Sequence, residues 1–125
     1  MSALSNDIRS VVRRVQDSWN AAFNQGDAAA VAALYTDDAI VLPPSHVIIK
    51  GAAAIRDFWQ GLVAVGVKGH GMEMVDAEAD GGLAFTTGWW WAAGPGEGER
   101  LGGTVVTVMR RQVDGSWKVC VHSWN

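Results

Sequence analysis

The fold is decided by residues 114–125, which read DGSWKVCVHSWN. Tight hairpin turns favour an Asp-Gly pair, because both central residues of such a turn need a positive φ angle. The apolar residues that follow predict a strand over Trp117–Trp124 that is held inside a sheet. This strand carries one histidine, His122, whose ionisable imidazole lies next to aromatic side chains in the sequence. We therefore expect a ligand site at this strand.

The region before this strand has the same character. Apolar residues recur with a period of two between glycine-rich turns, a pattern that is typical of antiparallel strands. It predicts three more strands, His70–Ala79, Leu83–Ala93 and Arg100–Val113.

The first half of the chain is predicted to be mostly helical. Apolar residues lie on one face of a helix over Asp7–Gln25, which Ser5 or Asn6 would cap. A short helix over Ala28–Leu34, a turn at residues 35–38, a short strand over Ala39–Leu42 and a third helix after Gly51 follow. Helices followed by antiparallel strands predict an α+β fold, and the length predicts one domain over residues 1–125.

Composition narrows the classes of function. The net charge is −3, and the basic residues cluster no further than two Arg-Arg pairs, so we expect no nucleic-acid partner. No membrane span or secretory leader is expected, which makes a cytoplasmic location the default. The single cysteine, Cys120, excludes an intramolecular disulfide. Seven tryptophans are many for one core, so we expect a pocket, a partner surface or both.

These segments resemble the SnoaL-like, ketosteroid-isomerase-like branch of the nuclear transport factor 2-like superfamily, and most of all a subgroup of unknown function. The resemblance covers nearly the whole chain in family order. The matching segments are Trp19–Ala22 with Gly26-Asp27, Leu34–Ala39, Pro43-Pro44, Gly51–Trp59, Asp114–Val119 and Ser123–Asn125.

This resemblance implies a cone-shaped barrel. A curved, mostly antiparallel sheet would wrap around the long N-terminal helix, with two further helices and an apolar pocket open at one end. It also implies a homodimer formed through the outer face of the sheet. No cofactor is expected. No metal is expected either, because the three histidines are far apart in the sequence without ligand spacing.

The steroid-isomerase machinery does not carry over to this sequence. The tyrosine donor of that family falls at Trp19, whose indole N–H lacks the acidity of a phenol. The catalytic base falls at Leu42 or Pro43, and the second acid falls within Val106–Met109, where no carboxylate occurs. We therefore do not expect that route of catalysis, and whether the chain is an enzyme is left open.

His122 is the remaining candidate for acid–base catalysis. Strand alternation places it on one face with Cys120 and Trp124. A histidine among apolar walls can act as an acid or a base near neutral pH. The alternative is a histidine that lines a pocket with its hydrogen bond satisfied and does no chemistry.

The run Trp89-Trp90-Trp91 must present its outer two indoles on one face of a strand and the middle one on the other. One interpretation gives the core on one face and a dimer interface on the other. The other makes Trp89 or Trp91 part of an aromatic pocket wall, together with Trp19, Phe58 and Trp124. The predicted pocket residues are Trp19, Phe23, Phe58, Trp89 and Trp124.

Three functions follow from these patterns. The first is a small homodimeric pocket protein that binds a small apolar or aromatic molecule. The second is an enzyme of the isomerase, cyclase or dehydratase type that uses His122 as acid and base. The third is a dimerisation module with a vestigial pocket.

Overall fold

A computed structural model describes the backbone of residues 3–125 and the side chains from residue 7 onward. Helices come first and the long strands last, so the predicted α+β order is confirmed. The elements are α1 (Ala3–Asn24), α2 (Ala28–Ala32), β1 (Tyr35–Leu42), β2 (Ile49–Lys50), α3 (Ala52–Ala64), β3 (Lys68–Asp80), β4 (Leu83–Ala93), β5 (Arg100–Arg111) and β6 (Trp117–Trp124).

The six strands form one curved sheet in the order β2-β1-β6-β5-β4-β3. Only the β1–β6 pair is parallel, and the other pairs are antiparallel. Helix α1 packs against β3 and β6, and α3 packs against β1 and β2. The sheet is mostly antiparallel and curved, as predicted. It does not close into a barrel, because the edge strands β2 and β3 do not pair.

Helix α1 supplies one wall of the core. Its buried side chains are Ile8, Val12, Trp19 and Phe23, which recur at helical spacing on one face. Burial of each such side chain contributes about 1.5–3 kcal/mol. The helix begins at Ala3, before the residues that we expected to cap it, so that expectation is wrong. None of the described helices is long and apolar enough to cross a membrane.

The segment after α2 differs from the prediction. Helix α2 ends at Ala32 rather than Leu34, and strand β1 begins at Tyr35, where we expected a turn. The cause is a long-range contact, since the backbone N–H of Val119 on β6 donates to the carbonyl of Leu34 (2.9 Å). Pairing with β6 therefore extends β1 backwards. The two-residue strand β2 was not predicted, because so short a segment carries no alternation.

The long strands follow the prediction closely. The bounds of β4 and β6 are confirmed, and β5 ends two residues earlier than predicted, at Arg111. A bulge interrupts the alternation of β6, because Met109 pairs with Val119 whereas Val108 pairs with Val121. Cys120 is the extra residue. Val119 and His122 therefore line the same small internal space, whereas Cys120 does not, so the expected alignment of His122 with Cys120 is wrong.

Candidate functional site

A cavity of about 510 Å³ lies between α3 and the inner face of the sheet. Its size falls within the range of small-molecule sites, and its walls are mainly aromatic and aliphatic. The aromatic walls are Phe23, Phe58, Trp59, Trp90 and Trp124, and the aliphatic walls include Leu62, Val67, Met72, Leu101 and Val105. Pro43, Pro44 and Ser45, in the loop after β1, also line the cavity.

Few ionisable side chains line this cavity. The ionisable side chains on its wall are His70, Arg100 and His122. No Asp or Glu side chain of the described residues lines it. Residues 7–125, whose side chains are described, contain no group of three His, Cys, Asp or Glu residues that could hold a metal ion. The side chains of the cavity wall therefore offer imidazole, indole and guanidinium groups rather than the carboxylates of Asp or Glu.

A buried chain of hydrogen bonds ends at His122. The indole N–H of Trp19 donates to the hydroxyl oxygen of Tyr35 (3.0 Å). The hydroxyl of Tyr35 lies 2.8 Å from Nδ1 of His122. All three residues are at least nine-tenths buried, so α1, β1 and β6 are joined by polar contacts inside the core.

Trp59 on α3 adds a second indole N–H near the same hydroxyl. It lies close enough to lower the pKa of Tyr35, although burial raises that pKa more strongly. The N–H group does not reach hydrogen-bond geometry with any partner in the described part of the chain. Indole N–H groups only donate, so neither Trp19 nor Trp59 can accept the proton of the Tyr35 hydroxyl. Among the described residues, Nδ1 of His122 is the one acceptor within hydrogen-bond distance of that hydroxyl, and we therefore assign the Tyr35 proton to this bond.

This network assigns the protonation state of His122. Burial lowers its pKa from 6.5 to about 3, with a smaller contribution from nearby His70, so the ring is neutral at pH 7. Because Nδ1 accepts from Tyr35, the ring proton lies on Nε2. His122 therefore presents an N–H donor on the cavity wall. The lone pair of its Nδ1 atom is not free to take a proton from a ligand, because it accepts the hydrogen bond from Tyr35.

His70, at the start of β3, also lines the cavity. Its Nδ1 lies 2.7 Å from Oδ1 of Asn20 on α1. Its ring centroid lies 4.5 Å from that of Trp19 and 6.0 Å from that of Trp90. Burial lowers the pKa of His70 to about 4. Although His70 opens a predicted strand, α1 and Trp90 enclose its ring, so this strand end is not solvated.

Comparison with models of known protein families shows to which family this chain belongs. The model of the SnoaL-like domain matches residues 15–120, which is most of the chain. The chain belongs to the SnoaL-like domain family. A comparison with curated proteins finds no match.

Solved structures share the fold of this SnoaL-like domain. An NTF2-like protein with a cystatin-like fold from Novosphingobium aromaticivorans is 19% identical, with a TM-score of 0.79; the alignment covers 94% of this chain and 80% of that one. A ketosteroid isomerase-like protein from Erwinia carotovora atroseptica is also 19% identical, with a TM-score of 0.76 and 92% of each chain covered. An NTF2-like protein of unknown function from Pseudomonas putida is 21% identical, with a TM-score of 0.81; the alignment covers 98% of this chain and 89% of that one.

The predicted pocket residues of this SnoaL-like domain divide into three groups. Phe23, Phe58 and Trp124 lie on the cavity wall. Trp19 lies behind the wall, where its N–H is engaged by Tyr35. Trp89 is misplaced in the prediction, since it lies on the outer face of β4 and is 53% exposed.

Several residues of the site were missed by the sequence analysis, both on the cavity wall and behind it. The parity of the tryptophan run was predicted, and the structure turns Trp90 rather than Trp89 towards the cavity. Trp59 was named only at the end of the Gly51–Trp59 segment and not among the pocket residues. Tyr35 was placed in a turn, and an irregularity in the register between Tyr35 and Ile40 breaks the alternation that could have indicated its inward position. Nothing in the sequence brings His70 close to Asn20.

Proposed function

We propose that this SnoaL-like domain binds a small apolar or aromatic molecule in the cavity. The observation that carries the proposal is the cavity itself, about 510 Å³ in volume with five aromatic side chains on its wall. Pockets of this size and composition are typical of small-molecule sites.

The aromatic walls suit a flat ligand. The rings of Trp59 and Trp124 stack on each other with centroids 5.3 Å apart and an angle of 24° between their planes. Phe58 contacts both rings from one side. An aromatic ligand would extend this arrangement of rings and would gain from burial of its own apolar surface.

The geometry supports His122 as a hydrogen-bond donor to the ligand more than as a base. The Nδ1 lone pair accepts from Tyr35 (2.8 Å), and burial holds the ring neutral. Proton abstraction would have to displace that hydrogen bond and charge a buried ring. The isomerase, cyclase or dehydratase hypothesis also lacks an Asp or Glu side chain among the described residues on the wall. Binding is therefore the better-supported function.

The test is a pair of variants on neighbouring residues of β5. Val105 is buried on the cavity wall, whereas Val106 faces outward and is 44% exposed. We expect Val105→Trp to weaken binding of 2-methylnaphthalene at least about tenfold in isothermal titration calorimetry, because the indole fills the space that the ligand needs. Val106→Trp serves as the control and should bind as the wild type does. Equal binding by the two variants, or none by the wild type, contradicts the proposal.

We also infer that two copies associate through the outer face of the sheet. Five exposed apolar side chains support this, Leu83, Phe85, Trp89, Trp91 and Val106. Contiguous apolar patches of this kind mark interaction surfaces. In the register of the sheet, acidic Glu73 and Glu78 lie beside this patch on β3. Basic Lys118 lies on its other side, next to Arg110, which pairs with Asp38 of the same chain (3.7 Å). A two-fold axis can bring the acidic side of one copy against the basic side of the other.

A further inference from the structure

The two histidines of the cavity present opposite hydrogen-bonding groups. His122 accepts from Tyr35 at Nδ1 (2.8 Å), which leaves a proton on Nε2. His70 lies 2.7 Å from Oδ1 of Asn20, an oxygen that only accepts, so Nδ1 of His70 carries the proton. The Nε2 atom of His70 then holds a lone pair. One ring therefore offers a donor and the other an acceptor.

The position of His70 is fixed by α1. Its backbone N–H donates to Oδ1 of Asn24 (2.8 Å), and Nδ2 of Asn24 donates back to the carbonyl of His70 (3.0 Å). The ring lies nearly parallel to that of Trp90, with an angle of 12° between their planes. The two backbone hydrogen bonds fix the position of His70 along α1, and the stacking on Trp90 fixes the plane of its ring. The Nε2 atom is therefore a preorganised acceptor.

Both Nε2 atoms lack a protein partner. Both rings line the cavity, and in the described part of the chain neither Nε2 atom makes a hydrogen bond. Burial lowers the pKa of both rings and keeps them neutral at pH 7. A ligand that filled the cavity with hydrocarbon alone would strip water from both atoms and leave them unsatisfied, which is costly.

We propose that the ligand is an apolar ring compound that carries a hydroxyl group, such as a phenol or an alcohol. Its oxygen accepts from Nε2–H of His122, and its proton is donated to Nε2 of His70. An ether or a ketone accepts from His122 but leaves His70 unsatisfied. This inference rests on the proposed binding function and adds the polar group that the site selects.

The test compares three probes of similar shape, 2-naphthol, 2-methoxynaphthalene and 2-methylnaphthalene, by calorimetric titration. We expect the wild type to bind the naphthol about tenfold more tightly than the ether, since the ether lacks one hydrogen bond in a buried site. His70→Phe keeps an aromatic ring between Trp19 and Trp90 but removes the acceptor, and should bring the ratio close to one. His122→Phe should weaken binding of both oxygen compounds more than that of 2-methylnaphthalene.

The outcomes separate this inference from the proposed function. If 2-methylnaphthalene binds but the naphthol and the ether bind equally tightly, the hydroxyl inference is overturned and the pocket function stands. If none of the three binds, the proposed function fails as well. The wild-type protein provides a second test that needs no variant. Nitrogen-15 spectra of the imidazoles should show the proton of His122 on Nε2 and that of His70 on Nδ1, and the same tautomer in both rings would overturn the inference.

Discussion

The hydroxyl of Tyr35 lies 2.8 Å from Nδ1 of His122, and this contact ties the start of β1 to the end of β6. Because the hydroxyl donates to Nδ1, the proton of the histidine lies on Nε2, and this N–H is the group that His122 presents to the cavity. The same hydroxyl accepts from the indole of Trp19 (3.0 Å). One buried oxygen therefore organises groups from a helix and two parallel strands.

Removal of this hydroxyl should destabilise the fold. Tyr35→Phe leaves the indole N–H of Trp19 and Nδ1 of His122 without their partner in a buried site. We expect the free energy of unfolding to fall by about 1–3 kcal/mol, measured by urea denaturation. Ser18→Ala removes an exposed hydroxyl from α1 and should change stability by less than about 0.5 kcal/mol. Equal stability of the two variants would show that the contact contributes nothing.

Stability should fall as the solution becomes acidic. In the folded state burial lowers the pKa of His122 to about 3 and that of His70 to about 4, whereas both return towards 6.5 on unfolding. Below pH 6.5 the unfolded chain therefore binds protons that the folded chain excludes, and stability declines until these folded-state pKa values are reached.

Substitution can separate the contribution of these two histidines to the pH dependence of stability from the contribution of the carboxylates. Each contributes at most about 1.4 kcal/mol per pH unit to the slope of stability against pH. The variants His122→Asn and His70→Asn should therefore show a shallower dependence of the unfolding free energy on pH than the wild type, between about pH 6 and about pH 4. This window lies between the pKa of an unfolded histidine and the lowered pKa values of the two folded ones. Urea denaturation at a series of pH values measures this. Unchanged slopes in both variants would mean that the rings are not buried as neutral groups.

The contact between β3 and β4 leaves no room for a side chain at Gly88. A Cβ atom there would come within 2.1 Å of the carbonyl oxygen of Glu73. We expect Gly88→Ala to lower the free energy of unfolding by more than about 2 kcal/mol, because backbone must move to relieve the overlap. At Gly82 an added Cβ meets nothing within 4 Å, so Gly82→Ala is the matched control. Similar denaturation midpoints for the two variants would contradict the strand register.

The sequence predicts those parts of the fold that are determined by residues close together in the chain, and it misses those that depend on contacts between distant residues. Strands β4 and β6 are rich in aromatic and β-branched residues and follow glycine-containing turns, so their bounds are correct. The start of β1 depends on a hydrogen bond from Val119 to Leu34, far away in the chain. The bulge at Cys120 depends on the register with β5. Neither leaves a local pattern in the sequence.

The site shows the same limit. Helical periodicity predicted the inward positions of Phe23 and Phe58, and strand alternation placed Trp124 on the face of His122; all three lie on the cavity wall. Alternation predicted that the tryptophan run would split between two faces, but it does not say which face is inward, and Trp89 was assigned to the wrong one. The role of His70 depends on Asn20, fifty positions away, and only the packing of α1 on β3 brings them together.

A charge at the centre of the outer face should break the proposed dimer. Trp89 is 53% exposed on that face, and Trp89→Glu would bury a carboxylate against apolar surface in the pair. We expect the mass from light scattering to halve relative to the wild type. Val113, fully exposed on the β5–β6 turn, gives the control Val113→Glu, which should keep the wild-type mass. A monomeric wild type would contradict the proposal directly.

The indole N–H resonances of the tryptophans test the central claim most directly. Trp59, Trp90 and Trp124 line the cavity, whereas Trp89 and Trp91 lie on the opposite face of the sheet. In a titration with 2-naphthol followed by two-dimensional proton–nitrogen spectra, we predict saturable shifts for the first three and none for the other two. Shifts centred on Trp89 and Trp91, or shifts that never saturate, would contradict a ligand site inside the fold.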